Sequence, residues 1–279
     1  MTPETDLYPP ILHSDEWSQP VPLAEAINTA GGEDSAFIMP DGNTLYFFFT
    51  PDVSVPAEQQ VLDSVTGIYM SKKQNGAWST AERVILQDTG KLALDGAEFV
   101  QDDIMWFCSA RAGYTGLHWF TARYEGGLWR DWQLVTEFPE DYEVGELHFS
   151  RDWTELYYHS SRPGGQGGYD IWMTRRVDGV WQEPVNIAAV NSPDSEGWPW
   201  LSADGSELWF TRTYQGSPAI LRSKRVDGVW QPPELIVSQF AGECTLDDAG
   251  NLYFTHHYYK DGVMIEADIY CARKKPVAP

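Results

Sequence analysis

The sequence predicts an all-β chain arranged as a ring of five blades, each of four antiparallel strands, and three observations predict it. A Trp follows a turn signal in "NGAW" (Trp78), "GGLW" (Trp129), "DGVW" (Trp181) and "DGVW" (Trp230), at blade-sized spacings of 51, 52 and 49 residues. Asp-Gly, Asn-Gly and Asp-Asp pairs stand between alternating hydrophobics, as hairpins require. Finally, the last repeat stops without its Trp strand, while "SDEWSQPVPL", with Trp17, stands alone near the N-terminus.

The strands follow in order within each repeat. An inner strand and an aromatic second strand flank a tight turn in "AFIMPDGNTLYFFF", "EFVQDDIMWF", "LHFSRDWTELYY", "WPWLSADGSELWF" and "CTLDDAGNLYF". The third strands are "GIYMSKK", "LHWFTARY", "YDIWMTRRV", "AILRSKRV" and "ADIYCARKK", and the Trp segments supply the fourth. The orphan around Trp17 is expected to complete the last blade, a closure that leaves no open sheet edge. Residues 1–12 are expected to form an extended tail of a single domain, 1–279, since 279 residues at 42% hydrophobic can bury one large core.

"SADGSELWFTR", "SRDWTELYYHSSRPGGQGGYDIW" and "MPDGNTLYFFF" resemble the WD40-like (PD40) repeat of TolB-related β-propellers. The third repeat matches best, whereas Gly67 and His118 stand in the first two where the third has Asp170. The resemblance implies a propeller, and a periplasmic or secreted mature form. It implies no single activity, because such rings host interaction modules, peptidase gates, lyases and sugar-binding proteins. It also implies a structural use for Arg111 and Arg162, pairing with acids to hold neighbouring loops.

A formal charge of −22 repels nucleic acid and anionic membrane, no apolar run is long enough to insert in a membrane, and neutral or cationic ligands are favoured. Three cysteines, Cys108, Cys244 and Cys271, are too few for a disulfide framework. "MTPETDLYPP" lacks the basic and apolar regions of a signal peptide, so the compartment stays open. Walker, Gly-x-Ser-x-Gly, His-Glu-x-x-His and Cys-x-x-Cys motifs are missing, and no organic cofactor is expected. The glycines of "SRPGGQGGYDIW" join two strands and feed no helix, which removes a phosphate cradle.

Tight turns fall on one face of such a ring and the longer loops on the other, which marks the loop face as the binding face. Acids stand at or before the start of every inner strand: Glu33 and Asp34, Asp95 and Glu98, Glu143 and Glu146, Asp194 and Glu196, and Glu243. One carboxylate per blade would make an acidic funnel at the central channel. Glu146, His148, Glu98 and Glu243 are the candidate catalytic residues, because paired carboxylates with an imidazole can move protons near neutral pH. Asp34, Glu196, Arg111, Arg162, His159 and Trp198 are candidates for substrate contact. His148, His256 and Glu243 are the candidate ligands for a divalent cation, either Ca2+ or a transition metal.

Two readings stay open. One is a monomeric hydrolase or lyase acting on a glycan or related small molecule at the channel mouth, with two carboxyls facing each other across it. The other is a non-catalytic PD40 module that binds a protein or cell-envelope partner through a broad apolar patch.

Overall fold

The computed structural model describes residues 1–138 and 145–276; Glu143 lies outside them. The chain is all-β, with one short helix, Ala57–Gln60, among the described residues. A single antiparallel meander recurs along it. Gly32–Ile38, Thr44–Thr50 and Gly67–Gln74 pair in sequence, with Glu82–Arg83 outermost. Ala93–Gln101, Ile104–Arg111, His118–Glu125 and Leu128–Leu134 repeat the order. Leu147–Phe149, Glu155–Ser160, Asp170–Val177 and Val185–Asn186 follow, then Glu196–Leu201, Glu207–Tyr214, Ser217–Val226 and Glu234–Ser238. Ala241–Leu246, Leu252–Lys260 and Val263–Ala272 come last.

Turn chemistry sets these registers. Asn75-Gly76, Asp178-Gly179 and Asp227-Gly228 all have both residues at positive φ, the type I′ geometry whose twist matches the flanking strands. Glycine at the second position removes most of the steric cost of that conformation.

The N-terminal segment lies on the outer edge of the last meander. Val21 and Pro22 pair with Cys271 and Tyr270, and Trp17 bridges Lys274. Ile11–Leu12, expected within a free tail, instead pairs with Glu234–Ser238. A strand edge with unpaired N–H and C=O groups is the physical reason: the passing segment satisfies them.

The core lies between neighbouring meanders, whose apolar faces stack. Phe37, Ile68, Phe99, Phe107, Leu147 and Trp172 fill one side, and Trp17, Trp209, Ile236 and Phe254 another. Cys108, Cys244 and Cys271 are buried free thiols. Among the described residues no helix is long and apolar enough to cross a membrane.

Candidate functional site

The inner strands are not regular. Ladder pairing slips between Asp34 and Phe37, Gly96 and Phe99, Gly197 and Trp200, and Gly242 and Thr245. At each slip one non-glycine residue is left-handed: Ser35 (φ 49), Ala97 (φ 54), Trp198 (φ 54) and Glu243 (φ 54). Such a bulge inserts an extra residue and re-aims its neighbours, and holding an L side chain there costs about 1–3 kcal/mol that the surrounding sheet must offset. Counting back from the ladder pair of His148 with Tyr157, Glu146 stands at the same place in its strand as these four residues do in theirs.

The inner strands bring three carboxyl groups to one cavity of about 40 Å³. Glu98, Glu146, Glu243, Ser35, His148 and Trp198 line it. Ser35 is the hub: its N–H donates to Glu243 Oε2 at 2.9 Å, and its hydroxyl lies 3.0 Å from Glu146 Oε1 and 3.3 Å from Glu243 Oε2. Asp34 shares a hydrogen bond with Glu243, and His257 Nε2 stands 3.7 Å from Asp34 Oδ1. Both carboxyl oxygens of Glu98 are buried without a hydrogen-bond partner.

Crowded acids in a dry place cannot all ionise. Burial, helped by the charges of Glu146 and Asp34, drives the Glu98 carboxyl well above its usual range. Glu243 moves the same way, through burial and then the charge of Asp34. Glu146 is raised to about 7, mainly by burial, against hydrogen bonds from Ser35 and Trp198. Burial also opposes ionisation of Asp34, but hydrogen bonds from Glu243 and His257 outweigh it and hold Asp34 below the usual value. His257 is raised: burial acts against its charge, and Asp34 overcomes it. The cluster therefore holds ionised and protonated carboxyls side by side, the arrangement acid–base chemistry uses.

Other candidates lie elsewhere. The expected carboxylate from every repeat is not found: in the fourth meander Trp198 occupies the bulge. Glu196, two positions earlier, is fully buried and held by Arg212 Nε and Ser192 Oγ, both at 2.5 Å, so it meets no substrate. Glu33 accepts from Thr29, and Asp95 from Ser109 and Arg111. Arg111 is buried on Asp95 at 2.7 Å and also donates to the Leu86 carbonyl, which gives it a structural role in place of substrate contact. Arg162 donates to the Tyr158 hydroxyl at 3.2 Å and covers the Trp172 ring. His159 accepts from the Trp198 backbone N–H and lies tilted against its indole, 5.3 Å between centroids, so it supports Trp198. It packs so close that a Cβ on Gly145 would come within 2.7 Å of its Nε2.

The histidines differ most from expectation. His148 is wedged between Phe99 at 4.8 Å and Trp200 at 5.6 Å, and burial pushes its pKa down to about 3, so it stays neutral as an aromatic plug. His256 is buried against Asp6 of the N-terminal segment at 2.8 Å. The expected set of His148, His256 and Glu243 is therefore not assembled. Among the described residues the group whose ligand atoms lie within 4.8 Å of one another is Asp34, Glu243 and His257. Strand alternation explains the exchange, since adjacent residues face opposite ways. Ser35 was missed, although lining up the repeats places it with Glu146 and Glu243.

No protein-family model and no curated protein sequence matches the chain. Among solved structures it is similar to an endo-arabinase from Bacteroides thetaiotaomicron, at 12% identity over 90% of this chain and 96% of that one, with a TM-score of 0.56. A gluconolactonase from Xanthomonas campestris matches at 13% identity over 95% and 94% of the two chains, TM-score 0.51. TolB from Acinetobacter baumannii matches at 13% identity and TM-score 0.51, over 87% of this chain and 54% of that one. At such identities the likeness is one of fold, and the fold is a TolB-like β-propeller.

Proposed function

We propose that this chain is a carbohydrate-related hydrolase, a five-bladed PD40-type propeller closed by its N-terminal segment and working at the channel mouth formed by Asp34, Glu98, Glu146 and Glu243. The observation that carries the reading is the meeting of Glu146 and Glu243 on Ser35 and of Asp34 and Glu243 beside His257, with Glu98 in the same cavity and both its oxygens left unbonded in the interior. Buried unpaired carboxyls oppose folding, and sites retain them for chemistry or for a ligand.

Glu146 and Glu243 both reach the Ser35 hydroxyl, so their near oxygens are at most two hydrogen-bond lengths apart. That suits the short spacing of a retaining carboxylate pair, about 5 Å, more than the wider inverting one. Glu146, raised to about 7, can give a proton to a leaving oxygen and take one back from water near neutral pH. A cavity of about 40 Å³ takes an ion and a water, not a sugar ring. The scissile bond would thus be presented at the mouth, where the Asp34 side chain is 32% exposed. The fold likeness to an endo-arabinase and a gluconolactonase is consistent with this substrate class.

Asp34, Glu243 and His257 fit a divalent cation, and one imidazole among carboxylates suits Mn2+ or Zn2+ at least as well as Ca2+. Such an ion would supply countercharge and polarise an oxygen of the substrate. The test is calorimetric titration of chelator-treated protein with Mn2+, Zn2+ and Ca2+, followed by assays on arabino-oligosaccharides and aldonolactones. Binding should weaken at least about tenfold in Glu243→Gln and His257→Gln, and turnover should fall about 10²–10⁴-fold in Glu146→Gln. Wild-type protein that neither takes up a cation nor cleaves any member of the panel would falsify this reading.

A further inference from the structure

A second cavity opens at the opposite end of the inner strands, beside the tight turns. It measures about 330 Å³, with Phe37, Phe99, His148 and Trp200 among its walls and Arg151 at its rim. Cavities of about 390 and 270 Å³ adjoin it, and Arg151 lines all three. This is the size range of small-molecule sites, and its aromatic walls are joined by the acids Asp204, Glu207, Asp247 and Asp248 as well as by Arg151.

Most polar groups around it are already engaged. Asp204 Oδ1 accepts from Ser202 and Ser206 within its own turn. Both oxygens of Asp247 are taken by Asn251, and those of Glu207 by Trp209 and Arg222. Three groups are not engaged among the described residues, one of them the Asp248 carboxylate, which lines the same cavity. Among the described residues the Arg151 guanidinium makes no hydrogen bond or ion pair, although Asp204 and Glu207 line the same cavity. His148 Nδ1 is buried without a partner, in a residue 8% exposed.

We propose that this cavity binds a ring-bodied carboxylate bearing a hydroxyl group, with the carboxylate on Arg151, the ring among Phe37, Phe99 and Trp200, and the hydroxyl at His148. A guanidinium presents two parallel donors that match a carboxylate, and it seeks such a partner when none is supplied by the protein. Aromatic walls accept either an aromatic ring or the apolar face of a sugar ring. The neutral imidazole of His148 can donate to or accept from a hydroxyl. Because the molecule carries −22, a bare anion is repelled, and a ligand must stack as well as pair to stay. A hydroxyaromatic acid and a uronic acid share this chemistry.

Phe37, His148 and Trp200 line both this cavity and the acid cavity, whereas Arg151 lines only this side and Glu243 only the other. Calorimetry on the full chain would compare 4-hydroxybenzoate and D-glucuronate with phenol and D-glucose, at up to about 10 mM. One acid at least should bind with a Kd of about 1 mM or below, and its uncharged counterpart at least about tenfold more weakly. Binding of only the first acid identifies an aromatic source, and of only the second a sugar source. Arg151→Gln, at an exposed unpaired position that folding does not need, should erase the preference for the carboxylate. Glu243→Gln should leave it intact, so that failure here and failure at the other mouth are told apart. The proposal is overturned if neither acid binds, if Arg151→Gln binds as wild type does, or if the loss follows Glu243→Gln instead.

Discussion

Arg111 shows what a single side chain does in this molecule. Its guanidinium is buried on Asp95, itself 1% exposed, and lies 4.3 Å from the Phe120 ring centroid. Removing the cation leaves Asp95 ionised in the interior, which costs about 3–5 kcal/mol in comparable pairs. Arg111→Ala should therefore lose about that much in urea unfolding, with cation binding at the acid cluster unchanged in the protein that remains folded. A loss below about 1 kcal/mol would mean that water reaches Asp95 and replaces the pair. At this scale the sequence was only partly readable. It shows that acids open each inner strand, but a bulge adds one residue and shifts the register. Glu98, Glu146 and Glu243 line one cavity and Asp34 meets Glu243 and His257 beside it, while Glu33, Asp95 and Glu196 turn to their own loops. Choosing between His256 and His257 needed the same single-residue register, and the partner of His256, Asp6, lies 250 positions away.

Among the elements, the segment around Trp17 was the most legible, because a repeat without its Trp strand asks for one and only that stretch is spare. Its tether is specific. Trp17 is 1% exposed, donates its indole N–H to the Gly250 carbonyl at 2.9 Å, meets Trp209 edge-on at 5.5 Å and lies 3.9 Å below the Lys274 ammonium. Trp17→Ala removes a large ring from a filled core, and losses of about 3–5 kcal/mol are typical. Guanidinium unfolding should report a loss of that size. A near-neutral result would mean that Val21–Pro22 holds the outer edge alone. The pairing of Ile11–Leu12 with Glu234–Ser238 was not legible, because two residues carry no periodicity to read.

For the whole molecule, repeat spacing and turn pairs were enough to read the meander order, since both are local properties of the chain. The proton balance was not, because it depends on which acids share a cavity. Glu33 and Glu146 are raised to about 7 and Asp268 to about 6, and Glu98 and Glu243 stand well above the usual range, each with burial as the leading cause. In the unfolded chain these groups release their protons near pH 4–4.5, about the usual range. The folded state thus holds protons that the unfolded state has lost, and stability falls as pH rises through that window toward 7 and above. His148 acts oppositely: its depressed pKa removes stability as pH falls below about 6.5 toward 3. His256 is lowered like His148, whereas His257 is raised and acts with the acids, and several acids against two imidazoles set the sign. Thermal unfolding should give a higher Tm at about pH 6 than at about pH 8. At pH 8 a cation bound at Asp34, Glu243 and His257 should recover part of the difference. A Tm that rises between pH 6 and pH 8 without added metal would show that the cluster is not charged as described.

The left-handed residues of the inner strands have a consequence for how such a protein can change. Ser35, Ala97, Trp198 and Glu243 share one backbone conformation while carrying a hydroxyl, a methyl, an indole and a carboxylate. The strand geometry at that point is indifferent to what the side chain is. Each of these meanders therefore offers one bulge address where the residue can be exchanged without renegotiating the sheet, and the chemistry there can be rewritten one letter at a time. A library confined to positions 35, 97, 146, 198 and 243 would vary the chemistry of the mouth while leaving the ladders on either side of it untouched.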